Sequence, residues 1–257
     1  MIRLVRSSLA AVLPDQGKRA VLSQRQRHAA ALTPGAKVIG SRWNSFVAGT
    51  GKNRGVGPVL CKAARAMSHE KCAWCEAPRA ATIDHFWPKT THPAKMFDWE
   101  NLFAACRDCN SEKGSSFPTS HGRAVLLNPV DDEPLDHFRW SHVTGECLYD
   151  PADVRADETH REFALDRLAH ERLHKMTALR FYFVRAVNGP VDDALRAQIR
   201  AELDATRAYL GIVRSYLLFP PDAEAELVRR AVAAVPEIIA WTAPWLRPPA
   251  GVAWPPK

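Results

Sequence analysis

The sequence predicts an α+β fold: a small strand–strand–helix core clamped by cysteines, followed by a mainly helical C-terminal region. Three observations predict it. Two Cys-x2-Cys pairs, Cys72–Cys75 and Cys106–Cys109, lie 30 residues apart and enclose two short runs of strand-forming residues. From His160 onward, apolar residues recur at helical spacing. The composition, 46% hydrophobic and 25% charged over 257 residues, is that of a globular chain long enough to bury a core without covalent staples. It excludes collagen-like, wholly disordered and coiled-coil chains.

Taken in order, residues 1–58 read as a basic N-terminal arm and a glycine-rich loop. Six glycines and two prolines fall within residues 33–59. The stretch Ala48–Gly57 reads as a loop. Gly49 and Lys52 lack the spacing of a phosphate-binding loop, and no apolar strand precedes them. Residues 59–150 read as the cysteine-clamped core. Val59–Met67 has helical character, Ala81–Phe86 is a strand candidate, and Trp87–Trp99 is a loop. Asn101–Ala105 is a second strand, Cys106–Gly114 leads into a helix, and Ala124–Leu127 is a further strand before an acidic turn over 128–134. Residues 151–257 read as a helical region. Phe163 to Met176 support one helix ending near Asn188-Gly189-Pro190. Leu195 to Leu217 support a second, ending at Pro220, and Asp222 caps a third to about Val235. The proline-bearing tail cannot be a regular helix. The aromatics Phe163, Phe181, Phe183 and Tyr209 build a helical layer or a docking face.

The formal charge of +7 is uneven. Residues 1–71 carry 13 Lys and Arg against only Asp15 and Glu70, whereas residues 72–257 carry 22 against 26 acids. Such asymmetry fits either a polyanion partner, nucleic acid above all, or a solvated arm. No run approaches the ~18 apolar residues of a membrane span. The run Leu9–Leu13 is too short for a signal-peptide core, and Pro14-Asp15 is no cleavage site, so a cytoplasmic protein is expected.

Six cysteines in such a chain do not read as a disulfide framework. Four thiolates in two Cys-x2-Cys pairs suit tetrahedral Zn²⁺, and a closed four-sulfur site leaves no position for water, so the zinc is expected to be structural. A single pair would read equally as a redox motif; two in one small region favour metal. Cys61 and Cys147 have no matching spacing and read as buried or incidental thiols.

The residues between the pairs add chemistry. Asp84 and His85 stand side by side at the end of the first strand; neighbouring side chains on a strand point to opposite faces unless it ends or bulges there, so the two can serve different jobs, one holding a metal and the other addressing substrate. Asn101 follows 16 residues later, Asn110 directly follows Cys109, and Lys113 comes three residues after that. Carboxylate and amide oxygens with water suit Mg²⁺ or Mn²⁺. A neutral histidine near such an ion can take a proton from water.

Cys-x2-Cys, Asp-His, Asn and then Cys-x2-Cys-Asn-x2-Lys, in this order over residues 70–117, resembles the HNH endonucleases with a zinc-bound ββα-metal core. The stretches IDHFWPK, FDWENLFAAC, CNSEKGSSFP, LLNP and DDEPLDHF, and the opening MIRLVR, further resemble the HNH nucleases of Septu-type anti-phage systems. Those are encoded beside an ABC-like ATPase, and some accompany retrons. The resemblance implies that His85 is the general base and that Asp84 and Asn110 hold the catalytic divalent cation. It implies that Asn101 orients the loop presenting His85, and that Lys113 contacts phosphate or braces the motif helix. The last conventional position is Asn110 rather than histidine, which favours a hard ion. The expected function is a metal-dependent endonuclease acting on DNA, or on RNA, with the ATPase as partner. The competing reading is a zinc-ribbon module that grips nucleic acid without cutting it.

Around these positions, His92 either lines the site or is a solvated loop residue. His69 and Glu70 read as helix-end residues. Trp74, Trp87 and Trp99 stack on bases or pack around the core. Lys89, Lys95 and Arg107 are phosphate contacts or plain surface charge.

Overall fold

The computed structural model describes residues 1–50, 55–78 and 80–255. The centre of the glycine-rich loop, residues 51–54, lies outside the described residues. The chain forms two compact units, Leu4–Asp131 and Asp132–Lys257 with Met1–Arg3. The boundaries expected at 58 and 150 therefore each fall inside a unit.

The basic segment is not an extended arm. It forms helices α1 (Leu9–Val12), α2 (Gln16–Ala30) and α3 (Val38–Val47), followed by α4 (Val56–Met67). Ser8 caps α1 through the Ala11 amide at 3.2 Å, and Asp15 caps α2 through the Lys18 amide at 3.0 Å. The apolar residues are few but fall on one side of each helix. Leu22 and Ala29 of α2, Ile39, Trp43 and Phe46 of α3, and Leu60 and Ala64 of α4 share a core with Ile83, Phe97, Trp99 and Leu102. This burial outweighs the solvation of the surrounding charges, because each fully buried large apolar side chain contributes about 1.5–3 kcal/mol. Helices α3 and α4 touch at Gly57, where a Cβ would lie 1.9 Å from the Phe46 carbonyl oxygen; only glycine permits that approach.

Strand β1 (Thr82–His85) pairs antiparallel with β2 (Leu102–Ala105), so that Asp84 faces Phe103 and His85 faces Leu102 across the ladder. Two turns of 3₁₀ helix, Pro93–Lys95 and Trp99–Asn101, fold the connection between them. Helix α5 (Arg107–Lys113) follows β2 directly, with Cys106 as its N-cap. The strand expected at 124–127 is only a two-residue ladder, β3 (Thr119–Ser120) with β4 (Arg123–Ala124). Leu126 and Leu127 are buried beyond it, outside any strand.

The second unit holds α6 (Pro134–His137), a short β5 (Arg139–Trp140) and β6 (Cys147–Leu148) pair, and helices α7 (Val154–Glu162), α8 (Ala169–Asn188), α9 (Asp193–Leu203), α10 (Leu210–Leu218), α11 (Asp222–Ala234) and α12 (Glu237–Thr242). The two long helices expected from the apolar spacing are each broken. Ala164 adopts φ 43° and leads into a 3₁₀ turn over Leu165–Leu168. Asp204 accepts the Thr206 amide at 2.8 Å, a side-chain turn that competes with helical bonding, and Tyr209 at φ 58° restarts the chain as α10. Helix α11 is preceded by Pro221, and Asp222 is its first residue rather than its cap. The short α12 fits between Pro236 and Pro244. Phe163 and Phe183 are buried in this unit, whereas Phe181 is 57% exposed.

Candidate active site and metal centre

The four paired cysteines meet. Cys72 and Cys75 lie in the turn after α4, Cys106 follows β2 as the N-cap of α5, and Cys109 sits in the first turn of α5. Their sulfurs all lie within 4.8 Å of one another, with Cys75 Sγ 3.7 Å from Cys106 Sγ. Zinc–sulfur bonds of about 2.3 Å in a tetrahedron put sulfurs about 3.8 Å apart, so the cluster fits a metal such as zinc. All four side chains are buried. Burial holds the Cys72 thiol well above its ordinary pKa, so several thiolates can coexist here only around a cation. Backbone bonds fix the knuckle to the sheet: the Ala73 amide donates to the Ala104 carbonyl at 2.8 Å, and the Cys72 amide to the Ala77 carbonyl at 2.9 Å. Cys61 and Cys147 are buried outside this cluster. His69 and Glu70 form the left-handed turn that leaves α4.

At the end of β1 lies a cavity of about 220 Å³, lined by Asp84, His85, Lys89, Asn110 and Ser115 among others. His85 is 3% exposed. Its Nε2 donates to the Met96 carbonyl at 3.0 Å, and its ring stands edge-on to Trp43 with centroids 4.3 Å apart. A carbonyl only accepts, so Nε2 carries the proton and Nδ1 keeps its lone pair. Burial, with help from the Lys89 charge, pushes the His85 pKa down to about 3, and the ring is neutral at physiological pH.

Asp84 is also buried. Its Oδ1 accepts from Lys113 Nζ at 3.0 Å, and the same ammonium donates to the His85 carbonyl at 2.6 Å. Lys113 is thus spent on bracing β1 against α5. Asp84 Oδ2 is buried and has no hydrogen-bond partner among the described residues. Burial raises the Asp84 pKa, and the Lys113 charge opposes that rise. A buried carboxylate oxygen left over beside an amide oxygen donor, Asn110, is a hard donor set that fits a divalent cation. The Lys89 amine shares the cavity, its pKa lowered by burial and supported by Asp84.

Asn101 lies outside the cavity lining and works on the backbone. Its Oδ1 accepts the Trp87 amide at 2.7 Å, and its Nδ2 donates to the Trp87 and Lys95 carbonyls, each at 3.0 Å. It therefore ties both ends of the loop between β1 and β2. His92 packs on Trp87 and bonds the Thr91 hydroxyl at 2.9 Å, away from the cavity lining. Lys95 sits over the Trp87 ring at 5.3 Å, and Arg107 is exposed. Trp74 and Trp99 are buried core residues.

Three supporting residues escape sequence reading. Trp43 arrives from α3 to pack on His85. Ser115 lines the cavity from just beyond α5. Arg6 donates to the carbonyls of Trp99 and, at 3.1 Å, Leu102, and lies over the rings of Trp99 and Phe103 at 4.8 and 4.5 Å. Burial lowers its pKa to about 10. Arg6 belongs to the opening stretch MIRLVR, but nothing in the sequence signals its partners.

No helix among the described residues is long and apolar enough to cross a membrane. The chain is 30% identical over 123 residues to a Septu protein PtuB of Bacillus thuringiensis, an alignment that covers 45% of this chain and 46% of that one. The chain thus spans about half the length of the curated relative it matches. No solved structure matches it. Residues 70–116 match the family model of the HNH endonucleases. The segment that carries the sulfur cluster, the Asp84–His85 strand and the Asn110 helix is therefore the one that matches the HNH endonuclease family.

Proposed function

We propose that this chain is a metal-dependent endonuclease that hydrolyses phosphodiester bonds, in DNA before RNA, as the effector of an anti-phage system acting with an ABC-like ATPase in the cytoplasm. One observation carries the nuclease reading. A buried, neutral His85, oriented through Nε2 by the Met96 carbonyl, shares a cavity with a carboxylate oxygen that has no partner. A binding module has no use for such a base.

In this reading His85 Nδ1 takes the proton from the attacking water. Asp84 and Asn110 would hold Mg²⁺ or Mn²⁺, which when bound would supply charge neutralisation at the phosphate and the leaving oxygen. Lys113 stabilises the charge of Asp84 and holds it in place. Asn101 fixes the loop whose Met96 carbonyl sets the His85 tautomer. Lys89, reaching the same cavity, contacts the phosphate. Zinc on the four cysteines joins the two ends of the motif and takes no part in the chemistry. The defence role and the ATPase partner are supported by the likeness to the Septu protein.

Plasmid DNA and total cellular RNA are incubated with the purified chain, with and without the ATPase, in Mg²⁺, Mn²⁺ or EDTA. Divalent-dependent cutting that falls by about 10²–10⁴-fold in His85→Ala is expected. Equal cutting by His85→Ala removes the proposed base. Binding without cutting in every condition turns the reading to a nucleic-acid-binding module.

A further inference from the structure

A second polar cavity, about 340 Å³, opens between α2 and α3. Arg25 and His28 line it from α2, Ser41, Arg42 and Ser45 from α3, and Phe97 forms its floor. No acidic side chain is among its lining residues. Between Asp15 and Glu70 the chain has no acid at all. The acid next in sequence to the floor, Asp98, is engaged by Gln26 Nε2 at 2.9 Å. Arg25 lies over the rings of Phe46 and Phe97, at 5.6 and 5.8 Å, which positions its guanidinium in the cavity wall. Burial, and then the neighbouring Arg42 charge, lower the Arg25 pKa, and an anion in the cavity would offset both.

Two guanidiniums with hydroxyl donors and no carboxylate are the chemistry of a phosphate site. The volume lies near the low end of about 300–1,000 Å³ for ligand cavities, more than a bare anion needs. The site is coupled to the cavity beside His85. Phe97 follows Met96, whose carbonyl holds His85 Nε2 at 3.0 Å. Trp43, on the same helix as Arg42, packs on the His85 ring.

We infer that the α2–α3 cavity is a backbone-phosphate subsite, which grips a polynucleotide at a phosphate remote from the one addressed by His85. This rests on the nuclease reading for the direction of the strand, but binding can be measured without cutting. The sequence-level surplus of positive charge is thereby given a place: two arginines in a shaped site on a folded surface.

The test is binding of a fluorescent single-stranded and a double-stranded oligonucleotide by the full chain, with no divalent cation added, over a range of salt. Arg25→Gln/Arg42→Gln is expected to weaken binding about 10-fold or more at moderate salt. The log–log salt slope should become shallower by about 1.4 on single strands and about 1.8 on duplex, since two phosphate contacts are lost. Arg25→Lys/Arg42→Lys should restore most of the slope. The exposed Arg42→Gln alone, which leaves the Arg25 stacking intact, should show about half the change. Adenosine monophosphate at equal phosphate concentration should not displace the oligonucleotide. Unchanged affinity and slope in the double Gln variant overturn the inference. So does a cavity that takes the free nucleotide while oligonucleotide binding ignores both arginines. If the wild type fails to cut but the slope difference stands, the nuclease reading falls and the subsite remains; if it cuts and the slope is unchanged, only the subsite falls.

Discussion

The sulfur cluster and the cavity beside His85 share helix α5, yet they are finished in opposite ways. In the cluster, four soft donors converge within 4.8 Å of one another, and four sulfurs complete a tetrahedral ion. In the cavity, hard oxygen donors stand beside open volume, one carboxylate oxygen is tied to Lys113, and its twin is left over. Cys109 and Asn110 are adjacent on α5, so one turn of helix serves both. The contrast separates two jobs. A closed sulfur site can only hold segments together, whereas an open oxygen site with a neutral base next to it can bind and process a substrate.

Removing one sulfur gives the largest expected effect. Cys106→Ser should release the metal and unfold residues 70–116, because structural zinc sites contribute on the order of 10 kcal/mol to folding. Metal content by mass spectrometry and far-ultraviolet circular dichroism report it. A folded, metal-replete variant would erase the distinction between the sites.

The next effect falls on the side of the cavity. Lys113→Met strands a buried carboxylate and should cost about 3–5 kcal/mol in urea unfolding. Adding Asp84→Asn should recover a large part of that loss, because the uncompensated charge is gone. Additive losses in the double variant would mean that Lys113 acts by packing alone.

A smaller and more selective effect belongs to Asn101→Ala. It removes three backbone bonds of the loop and should cost about 1–3 kcal/mol. Cutting should fall while bound zinc stays at the wild-type level. Parallel loss of zinc and activity would show that the loop and the knuckle are one unit rather than two.

What the chain reveals on reading depends on how far apart the partners are. Cys72, Cys75, Cys106 and Cys109 declare themselves through spacing, and Asp84 beside His85 through adjacency, so their meeting is legible without a structure. The roles of Trp43 and Arg6 are not, because their contacts reach across the sequence: the Arg6–Leu102 bond spans 96 residues. The basic N-terminal segment misleads for a different reason. Its charges dominate its composition, while the residues that fold it, such as Leu22, Ile39 and Phe46, are sparse and acquire meaning only against Phe97 and Leu102. In the C-terminal unit the apolar spacing continues through Asp204, but the Asp204 side chain offers the backbone a turn and breaks the helix there. Period reports which face is apolar, not whether the helix is continuous.

The most direct test of the two-site account is manganese binding to the zinc-loaded wild type and Asp84→Asn, read by electron paramagnetic resonance alongside zinc content. One tightly bound Mn²⁺ is expected in the wild type and its loss in Asp84→Asn, with zinc unchanged in both. Equal manganese binding by the variant, or manganese bound only as zinc is displaced, would contradict it.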